Sequence, residues 1–277
     1  MEHDPVVTRS MSIEAKARIA RYAIVACALL AWEFLPRAGM IPYLFLPPLS
    51  DSLHLLASDA AIFGDHLLVT LKEVAVSLVF ACGGGILVGL WVGSSVKVRG
   101  ALLPVFSALF AVPLVVLYPL FTAWFGIGST SKIVFASVYG FLPTLLGTAA
   151  GAQTIDSQLT RVAASMGATR AQEVIWVYLP ATVPTILASF RLGGALVIVG
   201  VVVAEMMTSI AGIGFQLSKF RTQLNSPGVY ACIIIILALA VFFDLAVQWL
   251  DRRWRHRGRN GGHQRDVRSQ APAGAVG

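Results

Sequence analysis

The chain has 277 residues, of which 57% are apolar and only 13% charged, with a formal charge of +7 and a mean hydropathy of +0.76. That balance exceeds what one soluble core can bury and defines an all-α membrane protein with several spans. It excludes a soluble enzyme domain, and the basic excess belongs to membrane topology rather than to nucleic-acid binding.

A bilayer core of about 30 Å takes roughly 20 apolar residues as a helix. Residues 1 to 20 form a polar arm, and residues 21 to 255 a membrane domain with six candidate spans: 21 to 35, 67 to 93, 102 to 125, 133 to 152, 183 to 207 and 229 to 250. The first span is short and carries Glu33, and it reads as an anchor that is retained. Gly83, Gly84, Gly85 and Gly89 in the second span, and Gly193, Gly194 and Gly200 in the fifth, allow close helix contact in lipid. Pro104, Pro113 and Pro119 predict kinks in the third span and Pro143 predicts one in the fourth. Leu49, Leu53, Leu56 and Ala60 predict a short amphipathic helix after the first span, and Ile213, Leu217, Phe220 and Leu224 a second one after the fifth. The tail from 256 to 277, rich in Gly, Arg, Gln and Ala, has too few apolar residues to fold alone.

Basic residues set the orientation. Arg9, Lys16, Arg18 and Arg21, then Lys97 and Arg99, then Arg161 and Arg170, then Arg252, Arg253 and the tail arginines fall on one side if both termini are cytoplasmic. The segment 153 to 182 then lies in the cytoplasm. Cys27, Cys82 and Cys232 stand singly in apolar runs and the five histidines are scattered, so neither a metal site nor a cofactor is expected.

Within that segment, RVAASMGATRAQEVIWVYLP resembles the cytoplasmic "EAA" loop of ABC-importer permeases, with Ala163, Gly167, Ala168, Leu179 and Pro180 in the matching positions. LPPLSDSL, WFGIGSTSKI and VIVGVVVAEMM followed by AGIGFQL extend the likeness over about residues 46 to 255, and together they resemble the nitrate/sulfonate/taurine branch. The chain departs from that pattern at Arg161, where the family commonly has Glu, at Ala164, where a basic residue is frequent, and at Glu73, where an Arg is frequent.

The resemblance implies a type I ABC-importer permease fold with no catalysis of its own. Its implied partners are a cytoplasmic ATPase dimer, an extracytoplasmic solute-binding protein, a second copy of the chain and the lipid bilayer, with no nucleic acid. Arg161, Ala163, Ala164, Gly167, Ala168, Leu179 and Pro180 would form the ATPase-coupling loop. No phosphate-binding Gly-rich loop with Lys-Ser/Thr occurs in the chain, so hydrolysis would fall to the partner.

Charged and polar groups in or near the spans are candidates for the pathway or its gate: Arg191, Glu205, Tyr118 and Thr122. Glu205 is expected either to brace the outer gate or to line the path, and Asp244 to be a satisfied structural charge. The competing class is an ATP-independent secondary transporter or channel, which predicts an internal repeat or paired midplane carboxylates. The spans display neither.

Overall fold

A computed structural model describes residues 13 to 266, so the beginning of the amino-terminal arm and tail residues 267 to 277 lie outside it. The chain divides into two units, one of residues up to 61 with 219 to 231, the other of 62 to 218 with 232 onward.

In the first unit, α1 (Ile13–Arg37) turns its apolar side chains outward, with Tyr22 and Ile24 about 70% exposed. In a chain of this composition those side chains meet lipid. Glu33, unwelcome in a span by its charge, ion-pairs with Arg37 at 2.7 Å and accepts hydrogen bonds from Ser50 N and Ser50 Oγ at 3.0 and 2.9 Å. Ser50 opens α2 (Leu49–Ser58), so this carboxylate serves a helix amino end whose N–H groups lack internal partners. The proline-rich linker is pinned by its carbonyls: Trp32 Nε1 donates to Pro47 O at 3.0 Å, Tyr230 OH to Phe45 O at 2.8 Å, and Ser226 Oγ to Leu44 O at 2.5 Å. Tyr43 donates to Asp51 at 3.1 Å, and partial burial with that carboxylate nearby pushes its phenol above the usual range.

The second unit holds the packed bundle. α3 (Ala60–Leu78) continues through a widened π-turn at Val79–Gly83 into α4 (Gly84–Gly93). α5 (Val96–Ala111), a 3₁₀ turn (Leu114–Leu117) and α6 (Tyr118–Phe125) follow, then the long helix α7 (Ser129–Gln153). The chain then passes through α8 (Ser157–Ser165) and α9 (Arg170–Glu173) into α10 (Leu179–Met207), α11 (Ile213–Thr222) and α12 (Ser226–Asp266). The last helix thus runs into the tail that composition alone reads as unfolded.

Among the described residues, five helical segments are long and apolar enough to cross a membrane, and α5 with α6 makes a sixth only as a broken span, bent by 77°. The third span is therefore not a single kinked helix. Val112 precedes Pro113, whose ring disfavours helical backbone at the residue before it, and Val112 adopts ψ 131°. Pro143, by contrast, sits inside an unbroken α7.

α7 is the centre of the bundle, between α4 and α10. Gly85, Gly89 and Gly93 form a four-residue-spaced stripe on α4. A Cβ at Gly89 would lie 2.7 Å from Leu145 O and one at Gly93 2.6 Å from the Ala152 Cβ. On the other side of α7, Gly140 and Gly193 face each other, each leaving room for the other's carbonyl at 2.7 to 2.8 Å from a notional Cβ. Small residues let these backbones approach where lipid supplies no hydrophobic force between helices. Val74, Ala81, Cys82, Ala136, Val197, Ile198 and Val201 fill the core beside these crossings.

Candidate functional site

The segment from 153 to 182 is built as a sequence of helix caps. The Asp156 carboxylate accepts from Gln158 N at 2.8 Å and opens α8. At the other end Gly167 N donates to Ala164 O at 3.0 Å and Ala168 N to Ala163 O at 3.1 Å. This is the 5→2 and 6→1 pair of a Schellman cap, with Gly167 as its left-handed residue at φ 77°. Four of the residues singled out from sequence, Ala163, Ala164, Gly167 and Ala168, thus make one turn.

The next helix begins at once. Thr169 N donates to Gln172 Oε1 at 2.8 Å while Gln172 N lies 3.4 Å from Thr169 Oγ1, a reciprocal capping box at the start of α9. A second π-turn, Val174–Tyr178, leads into α10 through Leu179 and Pro180. Pro180 has no N–H for the carbonyl four residues back, and its ring needs room there, which the widened turn supplies. The capping box has a sequence signal in the T-x-x-Q spelling of Thr169 to Gln172, which lies outside the family-like small-residue positions of the segment.

Large apolar side chains stand on the outer surface of this segment among polar ones. Val162 is 57% exposed, Met166 81% and Trp176 76%, with Leu159 and Ile175 also outward. Arg161 is exposed as well. Between the 94 to 95 turn and α9 runs a groove of about 500 Å³, lined by Leu87, Trp91, Val98, Val174 and Ile175.

At the opposite end of the bundle, buried polar groups gather. Lys132 Nζ meets Glu73 Oε1 at 2.5 Å and donates to Ser209 Oγ at 3.0 Å. Glu205 is fully buried and accepts from Thr70 Oγ1 and from Gly214 N, both at 2.8 Å. Thr70 Oγ1 in turn accepts from Ile213 N at 2.9 Å, and His66 Nδ1 from Gly212 N at 3.0 Å. Three consecutive N–H groups at the amino end of α11 are therefore held by side chains of α3 and α10. A carboxylate at that position is favoured by the helix dipole. Gly212, at φ 112°, sits so close to the Glu205 carboxylate that a Cβ would overlap it.

The remaining candidates stand apart from this cluster or beside it. Arg191 Nε pairs with Asp244 Oδ1, and Gln248 Nε2 donates to Asp244 Oδ2 at 2.6 Å. Asp244 is thus a satisfied charge, with Arg191 and Gln248 as its partners. The pair borders a second groove of about 500 Å³ between α10 and α12. Tyr118 is buried against Phe135, with ring centroids 5.1 Å apart, and its hydroxyl lies 3.4 Å from Thr208 O. Thr122 Oγ1 donates to Pro119 O at 2.8 Å within its own helix. Ile213 and Leu217 are buried on α11 as their spacing predicts, but Leu224 lies beyond the helix at φ 54° and is 71% exposed. Among the described residues, no group of three or more His, Cys, Asp or Glu side chains is arranged to hold a metal ion.

Glycine-packed spans, a capped helical loop between two of them and a polar clasp at the other end describe a multi-pass helical membrane protein. The family of binding-protein-dependent transport system inner membrane components matches residues 85 to 256. The taurine transport system permease protein TauC of Escherichia coli (strain K12) is 33% identical over 236 residues, 83% of this chain and 86% of its own. The putative aliphatic sulfonates transport permease protein SsuC of Bacillus subtilis (strain 168) is 30% identical, covering 81% and 83%. The formylaminopyrimidine transport permease protein ThiX of Halalkalibacterium halodurans is 28% identical, covering 82% and 92%. In fold, a chain of the MetNI methionine ABC transporter solved in inward-facing conformations superposes with a TM-score of 0.61 at 18% identity, over 68% of this chain and 93% of that one. The chain belongs to the binding-protein-dependent transport system inner-membrane family and is an inner-membrane permease of the ABC-importer class.

Proposed function

We propose that two copies of this chain form the translocation path for a small sulfonate, taurine or nitrate-type anion, coupled through residues 161 to 180 to a separate ATPase. The observation that carries the reading is the doubly capped elbow α8–Gly167–α9, which presents Val162 and Met166 outward, with Trp176 outward on the π-turn that follows. Apolar side chains on a basic, solvent-side segment are costly unless a partner covers them. Caps at both sides of Gly167 make the segment stiff, so a push on α8 reaches α10 through the Leu179–Pro180 junction instead of dissipating in a loose loop.

Orientation supports the same reading: with both termini cytoplasmic, Lys97, Arg99, Arg161, Arg170, Arg252 and Arg253 share the ATPase side. ATP-driven motion would then tilt α7 and α10 and switch the path between outward and inward access, with a solute-binding protein delivering cargo at the far end. In this arrangement Glu205 braces the outer end by holding α11 to α3 and α10. Relatives named for taurine and aliphatic sulfonates support the anion, while one named for formylaminopyrimidine marks how far cargo varies among similar chains.

Reconstitution of the chain in vesicles with its ATPase and solute-binding protein, followed by uptake of a panel of radiolabelled sulfonates, taurine, nitrate and pyrimidines, tests the proposal. ATP-dependent uptake of one of the anions supports it. Uptake that proceeds without ATPase would place the chain among secondary transporters.

A further inference from the structure

We infer that the inner end of α12, from Trp249 through Arg259, is a binding surface for the headgroups of anionic phospholipids. The side of the membrane on which it lies rests on the orientation in the transport reading above; the chemistry of the surface does not.

The depth of the segment follows from helix length. The apolar part of α12, Ser226–Arg253, has 28 residues, about 42 Å at 1.5 Å per residue. A bilayer with its headgroups measures about 40 to 45 Å. A helix of that length reaches from one headgroup layer to the other, which puts Arg252 and Arg253 among headgroups. Five arginines, at 252, 253, 255, 257 and 259, fall within eight residues of the same helix. Asp251 and Asp266 are the only acidic side chains among residues 251 to 277, so the segment is strongly positive where lipid phosphates are dense.

The direction in which the segment faces is set by the turns before it. Phe242, Leu245 and Trp249 are 71%, 58% and 60% exposed, while Val247 is buried. Their spacing of three and four residues makes one stripe on the helix, and in a chain of this composition such a stripe meets acyl chains. Arg252 and Arg253, both exposed, continue it three and four residues beyond Trp249. The Arg253 guanidinium lies over the Trp249 ring, 5.2 Å from its centroid, so the cation is drawn one turn back toward the bilayer. A surface meant for the ATPase would hold its charge beyond the membrane; this pair holds it at the membrane surface, on the lipid-facing side.

The residue type points to phosphate. Lys and Arg set topology alike, yet residues 250 to 277 contain seven Arg and no Lys. A guanidinium forks onto two oxygens of one phosphate, which an ammonium cannot do. The grip also bears on the bundle. Asp244, which ties α12 to α10 through Arg191, precedes Arg252 by eight residues, about 12 Å along the helix.

To test the inference, the full chain is reconstituted in vesicles of equal parts phosphatidylglycerol and phosphatidylcholine and extracted in mild detergent. The phospholipids retained per chain are then counted by native mass spectrometry. The wild-type chain is expected to retain phosphatidylglycerol in excess. The combined variant Arg252→Gln, Arg253→Gln, Arg255→Gln is expected to lose that preference, by about fivefold for each arginine neutralised. The matching lysine variant, which keeps the charge that sets topology, should fall between the two. Equal retention of both lipids by the wild-type chain would overturn the inference. So would an undiminished preference in the glutamine variant, and loss of ATPase binding by that variant would then assign the arginines to the ATPase. Both leaflets carry both lipids and no ATP is used, so a negative result here is separate from failure of the transport reading, which vesicle uptake decides.

Discussion

Lys132 and Glu73 meet at 2.5 Å with side chains only 3% and 2% exposed, which fixes α7 to α3 by charge at one end of the bundle. Breaking a buried pair from one side leaves the other charge uncompensated, at a cost of about 3 to 5 kcal/mol. Lys132→Met is expected to lower the melting temperature of the detergent-purified chain sharply, and the reversed pair Glu73→Lys with Lys132→Glu to recover part of the loss. Equal destabilisation by the single and the reversed double variant would show that the pair does not act as a pair.

Glu205 accepts from two donors on different elements, so its truncation strands Gly214 N and leaves the Thr70 hydroxyl only the His66 carbonyl at 3.2 Å. Glu205→Ala is expected to cost about 1 to 3 kcal/mol for each buried donor left unpaired. Glu205→Gln, which keeps one acceptor oxygen, should fall between Ala and wild type in thermal stability while the complex still assembles. Full stability of the alanine variant would remove Glu205 from the clasp.

The Thr169–Gln172 box predicts a local effect. Replacing either residue by Ala should cost about 1 kcal/mol of helix stability, read as faster amide exchange over residues 170 to 173. The melting temperature of the bundle should stay unchanged. Because the two side chains act on each other, the double variant should lose less than the sum of the singles.

Arg191 and Asp244 join α10 to α12 across a groove. Either charge alone in a span is more costly than none. Arg191→Leu and Asp244→Leu are each expected to reduce the yield of folded protein, and the double variant to restore it. A double variant that folds well yet no longer transports would assign the pair to the path as well as to the bundle.

The spans and the loop are legible in the sequence for a plain reason: lipid demands long apolar runs, and caps have local spellings. Gly167 illustrates the second point, since a left-handed residue after Ala-Ala-Ser-Met has few alternatives to Gly. The glycines of α4 and α10 are visible as small residues, though not the reciprocal contact of Gly140 with Gly193, which depends on how two spans far apart in sequence cross. The same limit hides the pairings of Lys132 with Glu73 and of Arg191 with Asp244. Each charge stands out as anomalous in an apolar run, but a run carries no record of its neighbour. The third span reads as a kinked rod because proline count signals bending, while the extended Val112 before Pro113 decides how far.

Coupling through the capped elbow is the central claim, and binding of the ATPase to purified wild-type chain and to Gly167→Val measures it most directly. A valine forced to φ 77° costs about 1 to 2 kcal/mol at that residue and would unseat the Schellman turn without touching the bundle, since nothing lies within 4 Å of a Cβ built at Gly167. The account predicts a stable wild-type complex with solute-stimulated ATP hydrolysis, and a folded Gly167→Val chain that loses both. A variant that binds and stimulates the ATPase as wild type does, or a wild-type chain that binds none, would contradict it.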